Sequence, residues 1–221
     1  MRVDVGELYG VVTGDVVGST KLKPLEREAL FQVMREGSHE LQAWLGKKKM
    51  PLEVDIYGGD TWQILLTDPG KTLAAGLFFR AFLRSRAPRR DTRFVAAVGP
   101  IDFVPRNKVS EGDGEAFRLS GQGLAELKKR RMGFAGLDLS ATRQWDLVFE
   151  LIDALATRWP EKRALAVTGA VRDWTQEQIG QLWDPAIEQS TVNVHLKGAG
   201  WASIKRVLDE FQAYWDAYDG K

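Results

Sequence analysis

Two aspartates lie where apolar segments end in turns, and such a pair could bind a metal ion. Asp15 closes the apolar stretch YGVVTGD, and Asp60 lies in IYGGDTW, a turn between two alternating stretches. Mg²⁺ takes carboxylate oxygens as ligands and leaves positions open for phosphates. Paired carboxylates could therefore hold Mg²⁺ or Mn²⁺ for phosphate chemistry. The alternative is structural, because an aspartate in a turn often caps local N–H groups.

The elements around these aspartates predict that they meet. Apolar periodicity predicts the order β-α-β-β-α-β-α, with strands or helices at 8–17, 24–45, 52–66, 68–86, 93–105 and 115–131. This order is that of an α+β, ferredoxin-like fold, with an antiparallel sheet and helices on one face. The first strand and the hairpin are neighbours in that plan. We therefore expect both aspartates at one edge of the sheet.

Small residues after Asp15 could meet phosphate oxygens through their backbone N–H groups. The expected nucleotide-binding residues are Val16, Val17, Gly18, Ser19, Thr20, Gly59 beside Asp60, and Lys108. Arg106, Lys108 and Arg118 flank an acidic, glycine-rich loop, and these cations could clamp a triphosphate. Surface charge with a helix cap is the alternative interpretation.

A resemblance to known families sharpens this interpretation. GVVTGDVVGSTKL resembles the first metal-binding motif of class III nucleotide cyclases, and IYGGDTWQILLTDPG resembles the second. The second motif also resembles the signature hairpin of GGDEF diguanylate cyclases. Over residues 8–130 the resemblance implies a palm-like domain that binds a purine nucleotide, with Asp15 and Asp60 as ligands of Mg²⁺ or Mn²⁺. It also implies a homodimer.

The sequence departs from the active members of these families. Ile56 stands about where class III cyclases carry a base-reading lysine, and Thr61 replaces the acidic residue after GGD. The Asn-x-x-x-Arg pair is absent, with Arg118 and Gln122 at those positions, which leaves Arg118 as the candidate catalytic cation. Loss of one transition-state donor costs about 10²–10³ in rate. The GD start, the GD hairpin and GEAFR also resemble the SatD family over nearly the whole chain.

The C-terminal half is predicted to be helical, with a boundary near MGFAGLDLS and domains 1–135 and 136–221. Ile179, Leu182, Val192 and Leu196 have the spacing of a helix-turn-helix, with Ser190 as the cap of its second helix. STVNVHL resembles the recognition helix of LuxR-type and sigma-region-4-type domains. That resemblance implies that DNA is contacted by Gln189, Thr191, Asn193, His195 and Lys197.

The charge of the two halves bears on this DNA-binding hypothesis. Residues 1–135 carry 22 Lys and Arg against 17 Asp and Glu, whereas residues 136–221 carry 9 against 13. DNA binding draws much of its affinity from cations, so the net charge of −4 in the second half opposes it. A protein-interaction module is therefore the alternative.

Composition excludes several classes of site. The chain has 221 residues, no cysteine and two histidines, so it predicts neither disulfides nor a zinc site. No signal sequence or membrane span is expected, and a cytoplasmic protein is the expectation.

Three functions remain open from the sequence. The preferred hypothesis is a nucleotide-binding regulator with a degenerate cyclase-like domain coupled to a DNA-binding helix-turn-helix. The second is an active, metal-dependent nucleotidyl cyclase or oligonucleotide synthase that releases pyrophosphate from NTPs. The third is a silent scaffold.

Overall fold

The computed structural model describes residues 3–4, 6–87 and 89–218. Five strands and eight α-helices follow one another in these residues. The strands are β1 (Tyr9–Val16), β2 (Asp55–Tyr57), β3 (Thr61–Leu66), β4 (Thr92–Gly99) and β5 (Met132–Gly136). The helices are α1 (Pro24–Lys49), α2 (Thr72–Arg86), α3 (Glu115–Glu126), α4 (Leu139–Ala156), α5 (Glu161–Ala170), α6 (Gln176–Gly180), α7 (Gln189–Ala199) and α8 (Trp201–Asp216).

The strands form one mixed sheet in the order β2-β3-β1-β4-β5. Its first four strands pair antiparallel and have the ferredoxin-like order, which confirms the predicted α+β fold. The fifth strand is parallel to β4, with α3 as the crossover between them. Its sequence, MGFAG, lies in the segment predicted to be a domain boundary. The structure makes this segment the edge strand of the sheet, and the boundary stays a prediction.

Helices cover both faces of the sheet, not one face as the sequence predicted. Side chains alternate along β1, so Val12 and Val16 belong to the large core with α1 and α2. Tyr9 and Val11 face the other way and pack with Ala116 and Phe117 at the start of α3. Asp15 has the same parity as Val11 and therefore lies on the α3 face.

The large core continues into the C-terminal helices. It joins strand residues such as Phe94 and Phe134 to Phe149 on α4, Trp159 after it and Phe211 on α8. The predicted division into 1–135 and 136–221 stays a prediction, and this core runs across it. Within the described part of the chain, no helix is long and apolar enough to cross a membrane.

A buried arginine ties the two halves together. Arg80 on α2 has a fully buried side chain. Its guanidinium donates two 2.9 Å hydrogen bonds to Asp91, one of 2.7 Å to Asp153 and one of 2.9 Å to Thr157. The pKa of Arg80 is raised. Burial is the largest single influence and lowers this pKa, but the hydrogen bonds and charges of Asp91 and Asp153 together raise it by more. Such a pair is costly to break, because the remaining carboxylates stay buried.

Candidate functional site

The structure brings Asp15 and Asp60 to the same end of β1. Asp15 is the last residue but one of this strand, and its cross-strand neighbours are Thr61 and Arg93. The N–H of Val16 donates to the backbone carbonyl of Asp60 at 3.1 Å. The two aspartates therefore flank one corner of the sheet, formed by the end of β1 and the hairpin turn.

Two glycines give the hairpin its shape. Gly58 and Gly59 have φ angles of 61° and 100°, both in the left-handed region. Glycine adopts this region without steric cost, which allows the chain to reverse within the three residues between the paired Tyr57 and Thr61. The GG pair thus carries Asp60 back toward β1.

An arginine side chain, that of Arg93, binds both carboxylate oxygens of Asp15. Nε of Arg93 donates to Oδ1 of Asp15 at 2.8 Å, and Nη2 donates to Oδ2 at 2.8 Å. The pKa of Arg93 is raised, first by its hydrogen bond to Asp15 and also by the charges of Asp15 and Asp60, against the effect of burial. Asp60 in turn accepts a hydrogen bond from the hydroxyl of Ser19. Both carboxylates therefore have protein partners.

This arrangement does not fit the Mg²⁺ or Mn²⁺ that the family resemblance implies. A two-pronged guanidinium takes both oxygens of Asp15, and its positive charge opposes a second cation at the same place. Among the residues described, no group of three or more His, Asp or Glu side chains could hold a metal ion. Metal binding would require Arg93 to move away.

The backbone after Asp15 is less open to phosphate than the sequence suggested. The N–H of Val16 bonds to Asp60, and the N–H of Val17 donates to the carbonyl of Asp91 at 2.9 Å. Val16 and Ser19 are buried, whereas Gly18 and Thr20 are exposed. Backbone bonds to Asp60 and Asp91 thus use the amides of Val16 and Val17, and contact of residues 16–20 with phosphate stays a prediction.

The structure does not bring the expected clamp to this corner. Arg118, the candidate catalytic cation, contacts Asp113 at 3.1 Å and Glu115 at 3.2 Å, near the start of α3. That helix begins where the Ala116 N–H meets Pro100, just beyond β4, at the end of the sheet opposite Asp15. Lys108 is exposed and pairs with Glu111 at 2.8 Å.

The C-terminal helices α5, α6 and α7 enclose a small apolar core. Ile179, Val192 and Leu196 are buried in it, and Leu182 and Trp201 pack against it. Ile179, Leu182, Val192 and Leu196 are the four residues whose spacing in the sequence resembles that of a helix-turn-helix. The connection from α6 to α7 covers residues 181–188, whereas a helix-turn-helix uses a turn of three or four residues. Glu188, rather than the predicted Ser190, is the cap residue of α7.

The five residues predicted to face DNA do not share one face of α7. At 100° per residue, Gln189 and Asn193 lie on one flank of the exposed face, and Thr191 and His195 lie on the other. The centre of this face is formed by Ser190, Val194 and Lys197, all of which are exposed. His195 stacks on Trp183, with ring centroids 5.6 Å apart. The resemblance implied alternate residues of α7, and alternate residues share one face of a strand but not of a helix. Contact of these five residues with DNA stays a prediction.

A basic cleft beside α7 was missed. It has a volume of about 650 Å³ and lies between the loop after α2, the start of α5 and the His195 flank of α7. Its titratable lining residues are Arg84, Arg89, Arg90, Asp91, Glu161, Lys162, Arg163 and His195. The basic runs RAPRR and EKR are visible in the sequence, but about 70 residues separate them. Only the packing of α5 against α2 unites them.

Comparisons with known proteins give distant likenesses only. No family model matches the chain, and no curated protein matches it. A solved structure of a bacterial light-regulated adenylyl cyclase is similar with a TM-score of 0.43 and 13% identity, over 62% of this chain and 44% of that one. The guanylyl cyclase Cya2 is similar with a TM-score of 0.40 and 14% identity, over 54% of this chain and 70% of that one. The chain thus spans less than half the length of the light-regulated cyclase.

Proposed function

We propose that this protein is a nucleotide-binding regulator with a degenerate cyclase-like domain that does not turn nucleotides over. The observation that carries this proposal is the two-pronged bond between Arg93 and Asp15. Catalysis by paired carboxylates needs both of them for metal ions. Here the carboxylate of Asp15 is bound by the guanidinium of Arg93. Arg118, which the sequence made the candidate for stabilising the transition state, lies at the other end of the sheet.

The same corner retains the means to bind phosphate. Arg93 faces both aspartates, and its side chain is 29% exposed, so it can exchange Asp15 for a phosphate group. Arg27 is exposed on α1, with its guanidinium about 3.9 Å from the place a Cβ of Gly59 would take. Guanidinium groups bind phosphates through paired hydrogen bonds. Two arginines around two carboxylates thus suit a nucleotide phosphate without requiring a metal.

Incubation of the purified protein with each labelled NTP, with and without Mn²⁺, tests the proposal. Products are separated chromatographically, and bound nucleotide is measured on the same samples. We expect binding that needs no metal, that Arg93→Ala weakens about tenfold, and no product. Arg206→Ala removes an exposed arginine on α8 and serves as the matched control.

The other two hypotheses make different predictions in this assay. A cyclic or linked product that disappears in Asp15→Ala would identify the enzyme and overturn the proposal. Absence of both binding and product would leave the silent scaffold. Sedimentation of the same samples tests the expected homodimer.

DNA contact through α7 is a second candidate function, and one observation favours it. The exposed face of α7 adjoins the basic cleft, so cations from both halves of the sequence lie beside this helix. This placement answers the objection from the charge of −4 in residues 136–221. Fluorescence anisotropy of labelled duplex DNA tests it, with loss of affinity in Lys197→Ala as the expected result.

A further inference from the structure

The cleft beside α7 has a surplus of positive charge. Five Arg and Lys side chains line it against two carboxylates, Asp91 and Glu161. Asp91 is already neutralised, because it accepts hydrogen bonds from Arg80 and from Arg84 at 2.8 Å. Glu161 is exposed in the first turn of α5. The remaining charge of the lining is therefore cationic.

Three of these cations lack an acidic partner. Across residues 3–4, 6–87 and 89–218, neither Arg89 nor Lys162 nor Arg163 forms an ion pair. Among the same residues, Arg90 pairs only with the half-exposed Glu26, at 3.3 Å. Cations left together in this way repel one another, and an anion between them removes that cost.

The walls of the cleft hold one of these cations, Arg163, in place. Arg163 lies over Gly198 of α7, because a Cβ added to Gly198 would come within 2.7 Å of its Nη2 atom. The Nε of Arg163 is buried and has no hydrogen-bond partner among the described residues. Pro160, Glu161 and Lys162 at the start of α5 also line the cleft, and the cap residue Pro160 offers no side-chain bond to the first N–H groups of this helix.

The imidazole of His195 reports the field inside the cleft. Its pKa is lowered, first by burial and then by the charges of Arg163 and Lys162. A helical period puts Thr191, His195 and Gly198 on the flank of α7 that faces the cleft. The cationic wall is thus continuous with the exposed face of this helix.

We propose that this cleft binds backbone phosphates of a nucleic-acid strand that lies along α7. The inference rests on the proposed contact of α7 with DNA and assigns the phosphate contacts to Arg89, Lys162 and Arg163. The exposed face of α7 carries one lysine, Lys197, which is too little for nucleic-acid binding on its own. The cleft supplies the cations, and its open shape accommodates a strand that continues past the site.

The test uses the full chain and a labelled 24-base-pair duplex at several salt concentrations. We expect Lys162→Ala/Arg163→Ala to weaken binding about tenfold and to lower the salt slope by about two, one for each phosphate contact. The control is Lys47→Ala/Lys48→Ala, which removes the same charge from exposed residues at the end of α1. Binding that the control variant weakens as much as the cleft variant would overturn the location while leaving DNA binding intact.

Two further results keep the conclusions separate. Absence of duplex binding to the wild type would overturn both the cleft proposal and DNA contact by α7. Saturation of the cleft by ATP or pyrophosphate at concentrations where the duplex does not bind would replace the strand with a small phosphate ligand.

The NMR signal of His195 locates the ligand, because the chain has only one other histidine, His39, as an internal control. A ligand in the cleft shifts His195 and leaves His39 unchanged.

Discussion

Removal of Arg93 should convert the carboxylate corner, the corner of the sheet that holds Asp15 and Asp60, into a metal site. In Arg93→Ala, Asp15 and Asp60 remain at one end of β1 without the guanidinium that now bonds to Asp15. Two carboxylates without a cation repel each other and attract a divalent ion. The variant should therefore be less stable than the wild type and should regain stability when Mn²⁺ is added.

The size of the effect follows from the exposure of the pair. Side chains of Arg93 and Asp15 are 29% and 22% exposed, so the lost ion pair contributes about 1 kcal/mol. Repulsion between the carboxylates adds roughly as much again. For a chain of this size, 1 kcal/mol corresponds to about 2–4 °C in Tm, so we expect a loss of about 4–8 °C. Mn²⁺ at ten times its Kd returns about 1.4 kcal/mol, or about 3–6 °C.

Thermal unfolding monitored by circular dichroism, with and without Mn²⁺, measures both effects. Arg93→Lys keeps the charge and should show little response to the ion, whereas Asp15→Asn/Arg93→Ala should show none. A wild-type protein that gains as much stability from Mn²⁺ as Arg93→Ala would refute the reasoning, because Arg93 would then not close the site.

Three other substitutions test the fold and the cleft. Arg80→Ala should cost about 3–5 kcal/mol in urea unfolding, because it leaves Asp91 and Asp153 without their buried partner, whereas Arg206→Ala should change stability by less than about 0.5 kcal/mol. Gly14→Ala should lower Tm, since its Cβ would lie 2.3 Å from the Trp62 ring and 2.6 Å from the Arg93 carbonyl; overpacking of this kind costs about 1–3 kcal/mol. Gly121→Ala in α3, with no atom within 4 Å, should be neutral or stabilising and is the control. The pKa of His195 is lowered in the folded protein. As pH falls through about 6.5, the unfolded chain therefore binds a proton on this imidazole before the folded chain does. The free energy of unfolding should decrease over this range, until the pH is below the folded pKa. His195→Gln should flatten that part of a pH series of urea unfolding, and an unchanged slope would contradict the assignment.

Periodicity predicted the order of the first seven elements because each is long or strongly patterned. The short fifth strand, MGFAG, was not predicted, because two of its five residues are glycines and its side chains show no clear alternation. Its position beside β4 depends on the crossover through α3. Local sequence contains no information about that contact.

The meeting of Asp15 and Asp60 was expected from topology alone, whereas the role of Arg93 was not. The sequence did contain a sign of this role. Arg93 is the single charged residue of TRFVAAVG and stands near the start of a strand that is antiparallel to β1. The register places it opposite Asp15. The basic cleft had no comparable signal, since its cations come from segments about 70 residues apart.

Asp91 connects the carboxylate corner to the basic cleft. Its carbonyl accepts the N–H of Val17, two residues after Asp15, and its carboxylate accepts Arg84, which also donates to the carbonyl of Trp159 at the cleft. A nucleotide that draws Arg93 from Asp15 would disturb the end of β1 and, through Val17, the position of Asp91. We therefore expect nucleotide and duplex DNA to change each other's affinity by the same factor, about five or more.

Anisotropy of the labelled duplex with and without saturating ATP measures this coupling. Asp91→Asn keeps the backbone bond to Val17 and weakens the bonds to Arg80 and Arg84, so it should reduce the factor. Circular dichroism checks that the variant stays folded. Competition at the cleft itself would also lower DNA affinity, but Arg93→Ala would then leave the effect of ATP unchanged. Equal DNA affinity with and without bound nucleotide would show that the two sites act independently, and the hydrogen bonds of Asp91 would then serve the fold alone.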